Sequence, residues 1–228
     1  MEVVRGVHRI ERVRGANSYL VLHGSDGAVI DTGMPGNEKK ILEYARSFGV
    51  EPANLRFIIL THPDIDHSGS VAGLKNLTGA KVAIHELDAP RLAGEKNLKD
   101  VKGPLGAVFG VMGVFMRFTP VRPDIILRDS DGILDLKVIH TPGHADGSVC
   151  LLRENEVIFV GDAMRTDSGG RPHLPSGPMT ANMEKAKESL KKISTYQYGA
   201  LLPGHGPPIT SGASGVVTAF ANGGFVSK

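Results

Sequence analysis

The sequence predicts one domain of the α+β class, in which two mixed β-sheets pack face to face and helices cover both outer faces. The first half of the chain shows strands, a helix, a strand and a helix, and the second half repeats this order. Apolar runs such as FIIL in RFIIL (56–60) are typical of strands buried on both faces. No proline-rich or charged linker divides residues 1–228. Strands with helices available for two outer faces favour a layered sandwich.

The first half begins with two runs of β type, SYLVLHG (18–24) and AVIDTG (28–33). The turn signal Ser25-Asp26-Gly27 between them predicts a hairpin. A helix is predicted over 35–50, where Gly49 is a stop signal and the apolar stripe consists of Ile41, Leu42, Ala45 and Phe48. The remaining predicted elements are the strand RFIIL, the helix SVAGLKNLTG (70–79), the strand KVAIH (81–85) and the short helix ELDAPRLAG (86–94).

The second half contains more strands and two helices. The predicted strands are DIILRD (124–129), LDLKVIH (134–140), SVCLLREN (148–155), EVIFVGD (156–162) and GALLPGHG (199–206), the last with its loop. A helix over 180–193 is predicted with Thr180 as its N-cap. Its apolar stripe consists of Met183, Ala186, Leu190 and Ile193. The final predicted helix is ASGVVTAFANGG (213–224).

Composition and charge exclude several classes of protein. Apolar residues make up 41% of the chain and charged residues 22%, as in ordinary globular proteins. The net charge of +2 is too near balance to indicate a nucleic-acid or membrane partner. The longest apolar segment (104–115) is broken by three glycines and is too short to span a bilayer. Because the N-terminus also lacks a signal-peptide pattern, we expect a cytoplasmic protein.

The cysteine count excludes two kinds of structural site. Cys150 is the only cysteine, so the chain has no intrachain disulfide and no zinc site built on several thiolates. It falls in the apolar run SVCLL, which predicts a buried side chain and a poor nucleophile.

Seven polar side chains follow apolar strands in loops that contain Gly or Pro. His62, Asp64, Asp66 and His67 share the decapeptide THPDIDHSGS, and His144, Asp162 and His205 follow later strands. One such residue by itself is commonly a turn or capping residue. Loops at strand ends, however, are where a rigid scaffold directs several side chains to one point. Their joint occurrence favours a metal site, and His140 is expected to pack or hydrogen-bond beneath it.

The chain resembles the metallo-β-lactamase fold superfamily of metal-dependent hydrolases over nearly its whole length. The motifs that carry the resemblance are AVIDTG, THPDIDHSG, TPGHADGS, FVGDAM and LLPGHG, in that order. The resemblance implies a four-layer αββα sandwich with the active site at one edge of its two sheets. It also implies two divalent metal ions and a small-molecule substrate.

The resemblance assigns a role to each polar residue. One metal would be held by His62, Asp64 and His144, the other by Asp66, His67 and His205, and Asp162 would bridge them. Asp66 would also be catalytic, because it would orient the nucleophile and relay a proton. Asp31 would orient the ligand loops by hydrogen bonds, as metal ligands generally require. Gly143 and Gly204 would allow tight turns beside the metals.

Asp64 departs from the family pattern, which most often has histidine at this place. A carboxylate is a harder ligand than imidazole, so a set of four His and three Asp suits iron or manganese as well as zinc. Flavodiiron relatives carry Glu here and hold two irons. The alternative is that Asp64 is not a ligand and only one metal binds.

The function that the resemblance implies is hydrolysis of a small ester, lactone, thioester or phosphoester by a metal-bridging hydroxide. The alternatives are a di-iron or mono-iron oxidoreductase, of flavodiiron or persulfide-dioxygenase type, and a non-catalytic metal-binding protein. An insert at about 98–120 is expected to cover the substrate pocket or to form the interface of a homo-oligomer. The expected pocket residues are Met112, Phe115, Met116, Met164 and His173.

Overall fold

The computed structural model describes residues 1–97 and 118–226, which belong to two compact units. Unit 1 consists of Met1 and Gly6–Ile126, and unit 2 of Glu2–Arg5 and Leu127–Lys228. Most of the predicted insert, including Met112, Phe115 and Met116, lies outside the described residues. The single domain stays a prediction. Among the described helices, none has the length and apolar character that a membrane span requires.

A seven-stranded mixed sheet provides the framework of the first ligand loop. Its strands, in spatial order, are β1 (Glu2–Val4), β2 (Val7–Arg9), β3 (Tyr19–His23), β4 (Asp26–Ile30), β5 (Leu55–Ile59), β6 (Lys81–His85) and β7 (Ile125–Leu127). Strands β2 to β4 pair antiparallel, whereas β4, β5 and β6 pair parallel. The carboxyl ends of these parallel strands therefore meet at one edge of the sheet, and Asp31 and the THPDIDHSG loop begin there.

The described helices of unit 1 are α1 (Glu38–Ser47), α2 (Ile65–Ser68), α3 (Val71–Thr78) and α4 (Ala89–Leu92), with a 3₁₀ turn at Pro52–Asn54. Apolar residues of α1, α3 and α4 pack against this sheet. An apolar core joins α1 and α3 to alternate residues of the strands, among them Leu20, Val29, Ile58 and Val82. This alternation is the period-2 pattern of strand side chains. Every second strand residue therefore packs against the helices.

Helix α1 is shorter than predicted, because it begins at Glu38 and ends at Ser47. Asn37 precedes it, but the Asn37 side chain binds the backbone of Arg14, Thr32 and Met34 and does not cap the helix. At the other end Phe48 lies outside the helix and is 42% exposed. The buried stripe therefore consists of Ile41, Leu42 and Ala45 only.

A five-stranded sheet forms the centre of unit 2. Its strands, in spatial order, are β14 (Ala200–Pro203), β11 (Val157–Gly161), β10 (Val149–Arg153), β9 (Leu136–His140) and β8 (Gly132–Ile133). Only the β11 and β14 pair is parallel. A separate hairpin consists of β12 (Arg165–Thr166) and β13 (Pro172–His173). The helices are α5 (Met183–Ile193) and α6 (Ala213–Asn222), with a 3₁₀ turn at Gly177–Met179. Residues of both helices share a core with the sheet.

Two predicted details of local structure are wrong. The first hairpin turns at Gly24 and Ser25, because His23 pairs with Asp26 and the φ of +63° at Gly24 suits glycine. The N-cap of α5 is Asn182, whose side chain accepts a hydrogen bond from the Lys185 backbone at 3.1 Å. Thr180 lies outside the helix and donates its hydroxyl to the Ser176 carbonyl.

Candidate metal centre

Four of the predicted ligands lie together in unit 1, in the loop that follows β5. Helix α2 is a single helical turn in which the His67 amide donates to the Asp64 carbonyl at 2.8 Å. This turn brings Asp66 and His67 back beside the start of the loop. Candidate ligand atoms lie within 4.8 Å of each other in the pairs His62–Asp64, His62–His67 and Asp66–His67. The decapeptide therefore folds into one compact cluster of donors.

Asp31 holds two histidines of this cluster. Its Oδ1 accepts from the Thr61 amide at 2.9 Å, and its Oδ2 accepts from the Thr61 hydroxyl at 2.8 Å and lies 2.8 Å from Nδ1 of His67. The residue is buried and has a φ of +55°, a backbone conformation that Asp tolerates better than most residues. Asp31 thus binds Thr61 and His67 of the loop that follows β5, and its role in orienting metal ligands stays a prediction.

The same contacts determine which ring nitrogens are available to a metal. His67 donates its Nδ1 proton to the Asp31 carboxylate, which leaves the lone pair on Nε2. The Thr61 hydroxyl gives its one proton to Asp31, so it accepts from Nδ1 of His62 at 3.1 Å. Both histidines then present Nε2 as a ligand atom. Sequence reasoning missed Thr61, although it stands directly before His62.

Two other loops, one after β2 and one after β4, fix the backbone of Asp66 and His67. The Ala16 amide donates to the Asp66 carbonyl at 3.0 Å, and the Thr32 amide donates to the His67 carbonyl at 2.6 Å. Gly15 has a φ of +90°, and a β-carbon there would lie 2.9 Å from the Asp66 carbonyl oxygen. Only glycine allows this approach without a shift of the loop. This support was also absent from the prediction.

The other three predicted ligands lie together in unit 2. The Asp162 Oδ2 atom is 3.5 Å from Nε2 of His144, and its Oδ1 atom is 3.5 Å from Nε2 of His205. Each carboxylate oxygen thus faces a different imidazole. Strands β11 and β14 are parallel neighbours, and the Gly204 amide donates to the Gly161 carbonyl at 2.8 Å. The loops with Asp162 and His205 therefore leave the sheet side by side.

The loop that carries His144 is held by α5 and by His140. The Ser189 hydroxyl donates to the Pro142 carbonyl at 2.7 Å, and the Asn182 amide donates to the Gly143 carbonyl at 2.9 Å. Gly143 has a φ of +142°, as its predicted tight turn requires. Nε2 of His140 lies 2.8 Å from the Asp146 carbonyl, so it contacts the same loop.

Predictions about four other residues have different outcomes. The tight turn after β14 occurs at Gly206, which has a φ of +92°, and Gly204 does not adopt the left-handed region. Cys150 is fully buried, and burial raises the pKa of its thiol to about 12, which makes it a poor nucleophile at neutral pH. Met164 is part of the apolar core of unit 2, and His173 is half-buried on β13 beside Asp167. Their roles in substrate binding stay predictions.

The donor set suits a divalent transition metal. Imidazole nitrogens and carboxylate oxygens are ligands of zinc, iron and manganese. In unit 1 the hydrogen bonds of Asp31 and Thr61 already select the Nε2 lone pairs. In unit 2 a carboxylate with one histidine on each oxygen has the form of a bridging ligand. The side chains present therefore fit the metal ions that the sequence predicts.

Comparison with known proteins decides the family. A family model described as the metallo-beta-lactamase superfamily matches residues 12–205. The chain belongs to the metallo-β-lactamase superfamily. Among its relatives is the probable metallo-hydrolase YflN of Bacillus subtilis, 29% identical over 92% of this chain and 87% of that protein. Another is the human acyl-coenzyme A thioesterase MBLAC2, 29% identical over 83% of this chain and 72% of that protein. The predicted membership of a superfamily of metal-dependent hydrolases is confirmed.

Solved structures show the same fold. The metallo-beta-lactamase family protein TTHA1429 of Thermus thermophilus matches with a TM-score of 0.73 and 20% identity, over 98% of this chain and 80% of its own. TTHA1623, solved in a di-iron-bound form, matches with a TM-score of 0.66 and 23% identity, over 90% and 92% of the two chains. This superfamily member thus has the predicted α+β sandwich class, with mixed sheets of seven and five strands.

Proposed function

We propose that the seven histidine and aspartate side chains hold two divalent metal ions, and that the protein hydrolyses a small ester, lactone, thioester or phosphoester. His62, Asp64 and His144 would bind one ion, and Asp66, His67 and His205 the other. Asp162 would bridge the two. The single observation that supports this best is Asp162, because its two oxygens face two different histidines at 3.5 Å.

When bound, a pair of divalent ions makes water acidic enough to attack at neutral pH and polarises the substrate oxygen. The side chains of this protein would do the rest. Asp66 would orient the attacking water and hold the proton that is passed to the leaving group. Its backbone is fixed by the Ala16 amide at 3.0 Å, so its carboxylate is carried on a rigid turn. Cys150 would take no part, because its thiol is buried.

A thioester is the first substrate to test, because the relative MBLAC2 is named as an acyl-coenzyme A thioesterase. Purified protein would be stripped of metal and reloaded with zinc, manganese or ferrous iron. Hydrolysis of an acyl-coenzyme A, a lactone, an aryl ester and a phosphodiester would then be followed. We expect activity that is lost on stripping and returns with metal. No hydrolysis with any metal would favour a non-catalytic metal-binding protein.

Two variants make this experiment specific. Asp162→Ala removes the bridging carboxylate and should lower the metal content from about two ions toward zero, with loss of activity. His23→Ala removes an exposed histidine at the end of β3 and should keep both metal and activity. Equal metal content in the two variants would contradict the bridging role of Asp162.

A second candidate is an iron-dependent oxidoreductase. Asp64 adds a hard carboxylate at a position where the family usually has histidine, and the structural relative TTHA1623 binds two irons. Oxygen uptake by the iron-loaded protein with a thiol persulfide, together with no hydrolysis, would establish this function in place of the first.

The cellular location and the oligomeric state belong to the same proposal. We propose a cytoplasmic protein with a small-molecule substrate and without a nucleic-acid partner, which is consistent with its near-balanced charge. Cell fractionation would test the location, and light scattering of the purified protein would test the predicted homo-oligomer.

A further inference from the structure

Thr166 contacts three consecutive residues of the loop that carries His205. Its amide donates to the His205 carbonyl at 3.1 Å, and its hydroxyl donates to the Pro207 carbonyl at 2.7 Å. Between these two bonds Gly206 lies directly against it, and a β-carbon at residue 206 would overlap the Thr166 carbonyl oxygen. Thr166 is itself buried, so its hydroxyl is shielded from competing water.

The hairpin around Thr166 gives this contact a rigid support. Thr166 pairs with Pro172 and Arg165 pairs with His173 in the β12–β13 ladder. At the tip of the hairpin, Asp167 accepts hydrogen bonds from the amides of Gly169 and Arg171 at 2.9 and 3.0 Å. The hairpin also starts only three residues after Asp162. Thr166 therefore joins the chain that follows Asp162 to the loop of His205.

His205 depends on such support more than its two partners in unit 2 do. Its side chain is 40% exposed, against 2% for His144 and 15% for Asp162. Core packing thus immobilises His205 less, so the backbone of its loop takes a larger part in positioning the ring. That loop is held by the Gly204 amide on one side and by Thr166 on the other.

We propose that Thr166 is a positioning residue that sets the affinity of the metal ion bound through His205, without touching the metal itself. This inference rests on the proposed metal centre. Outer hydrogen-bond partners of metal ligands commonly change metal affinity about 10-fold to 100-fold when they are removed. A side chain of the same shape without a hydroxyl could not replace Thr166, because the bond to the Pro207 carbonyl requires the hydroxyl.

Thr166→Val tests the proposal, because it keeps the shape of the side chain and removes the hydroxyl. We expect about a 10-fold faster loss of one of the two metal ions to a chromogenic chelator, while the second ion leaves at the wild-type rate. Thr166→Ser keeps the hydroxyl and should restore wild-type retention. Loss of both ions at the wild-type rate from Thr166→Val would overturn the proposal.

A matched control and a metal-free measurement separate this proposal from the metal centre. Thr218 also donates its hydroxyl to a carbonyl of unit 2, that of Ser194 at 3.1 Å, so Thr218→Val should leave metal retention unchanged. In metal-stripped protein, hydrogen exchange in the peptide over 203–209 should be faster for Thr166→Val than for Thr166→Ser. Equal exchange would overturn the positioning role. A wild-type protein that binds no metal would overturn the metal centre instead.

Discussion

Asp31 connects two proposed ligands to the sheet that carries them. Its carboxylate binds His67 directly and His62 through the Thr61 hydroxyl. One carboxylate therefore sets the tautomers of both rings. Since neutral imidazole binds metal through the nitrogen that has no proton, loss of this carboxylate should change metal affinity more than it changes the fold.

The first prediction concerns Asp31→Asn. Asparagine tolerates the left-handed backbone of residue 31 but carries no charge, so it cannot accept as strongly from His67 and Thr61. We expect metal affinity to fall about 10-fold to 100-fold. Thr61→Val removes the hydroxyl that joins Asp31 to His62 but keeps the bond between Asp31 and His67, so it should have a smaller effect. Competition with a chelator measures both, and a larger loss in Thr61→Val would contradict this order.

The second prediction concerns Asp64. Its Oδ2 atom lies 3.7 Å from Nε2 of His62. Asp64→His replaces a hard carboxylate with an imidazole and should shift the bound metal from iron or manganese toward zinc. Metal analysis after expression in medium with equal zinc and iron would measure the shift. If the ratio of iron to zinc stayed unchanged, Asp64 would not be a ligand.

At the scale of elements, one carboxylate in the segment before β7 joins neighbouring elements of unit 1. In unit 1, Asp124 precedes β7, and its Oδ2 accepts from the Val82 amide of β6 at 2.8 Å and from Lys75 of α3 at 2.6 Å. Burial alone would raise the pKa of Asp124, but the hydrogen bonds from Lys75 and Val82 outweigh it and lower the pKa below 3.8. One side chain thus ties two strands and a helix together.

The third prediction follows from this lowered pKa. A carboxyl group with a depressed pKa in the folded state adds stability above its unfolded pKa, and this stability is lost as the pH falls through the folded value. Asp124→Asn should therefore lower the free energy of unfolding by about 1 kcal/mol at pH 7, a figure reduced for solvent exposure. The difference should shrink below pH 3.8.

Urea unfolding of both proteins at neutral and acid pH measures this effect. Asp26→Asn is the control, because the Asp26–Arg56 pair is exposed and 4.0 Å long and should contribute little. A constant difference between Asp124→Asn and the wild type at all pH values would contradict a role for the charge.

At the scale of the whole molecule, metal binding and folding should be coupled. The proposed ligands come from loops far apart in the sequence, between residues 62 and 205, so the unfolded chain has no comparable site. A ligand that binds only the folded state stabilises it by about 2.7 kcal/mol at a hundred times its Kd.

The fourth prediction is that metal removal lowers the Tm by about 5–10 °C, since 1 kcal/mol shifts the Tm of a chain of this size by about 2–4 °C. His23→Ala should show the same drop, whereas Asp162→Ala should show almost none because it holds little metal. Differential scanning calorimetry with and without a chelator measures these values. An unchanged wild-type Tm would mean that metal does not bind tightly.

The helices and strands could be predicted where the pattern of apolar residues was long and periodic. The runs KVAIH and EVIFVGD became β6 and β11, and the stripe of the helix over 180–193 became α5. The short strands β12 and β13 have two residues each and no detectable period, and they form only because they pair with each other. The turn at Gly24 and the cap at Asn182 each lay one or two residues from their predicted places, since neighbouring turn residues carry similar local preferences.

The sequence by itself determined the family, the fold class and the residues proposed as ligands, because side-chain chemistry, apolar runs and motif order are local properties of the chain. Only the tertiary structure decided how those residues are held. The bonds from Asp31 to Thr61 and His67, and from Thr166 to the loop of His205, join residues 30 to 41 positions apart. No spacing rule selects such partners, because they depend on which strand ends and loops come together once the sheets have formed.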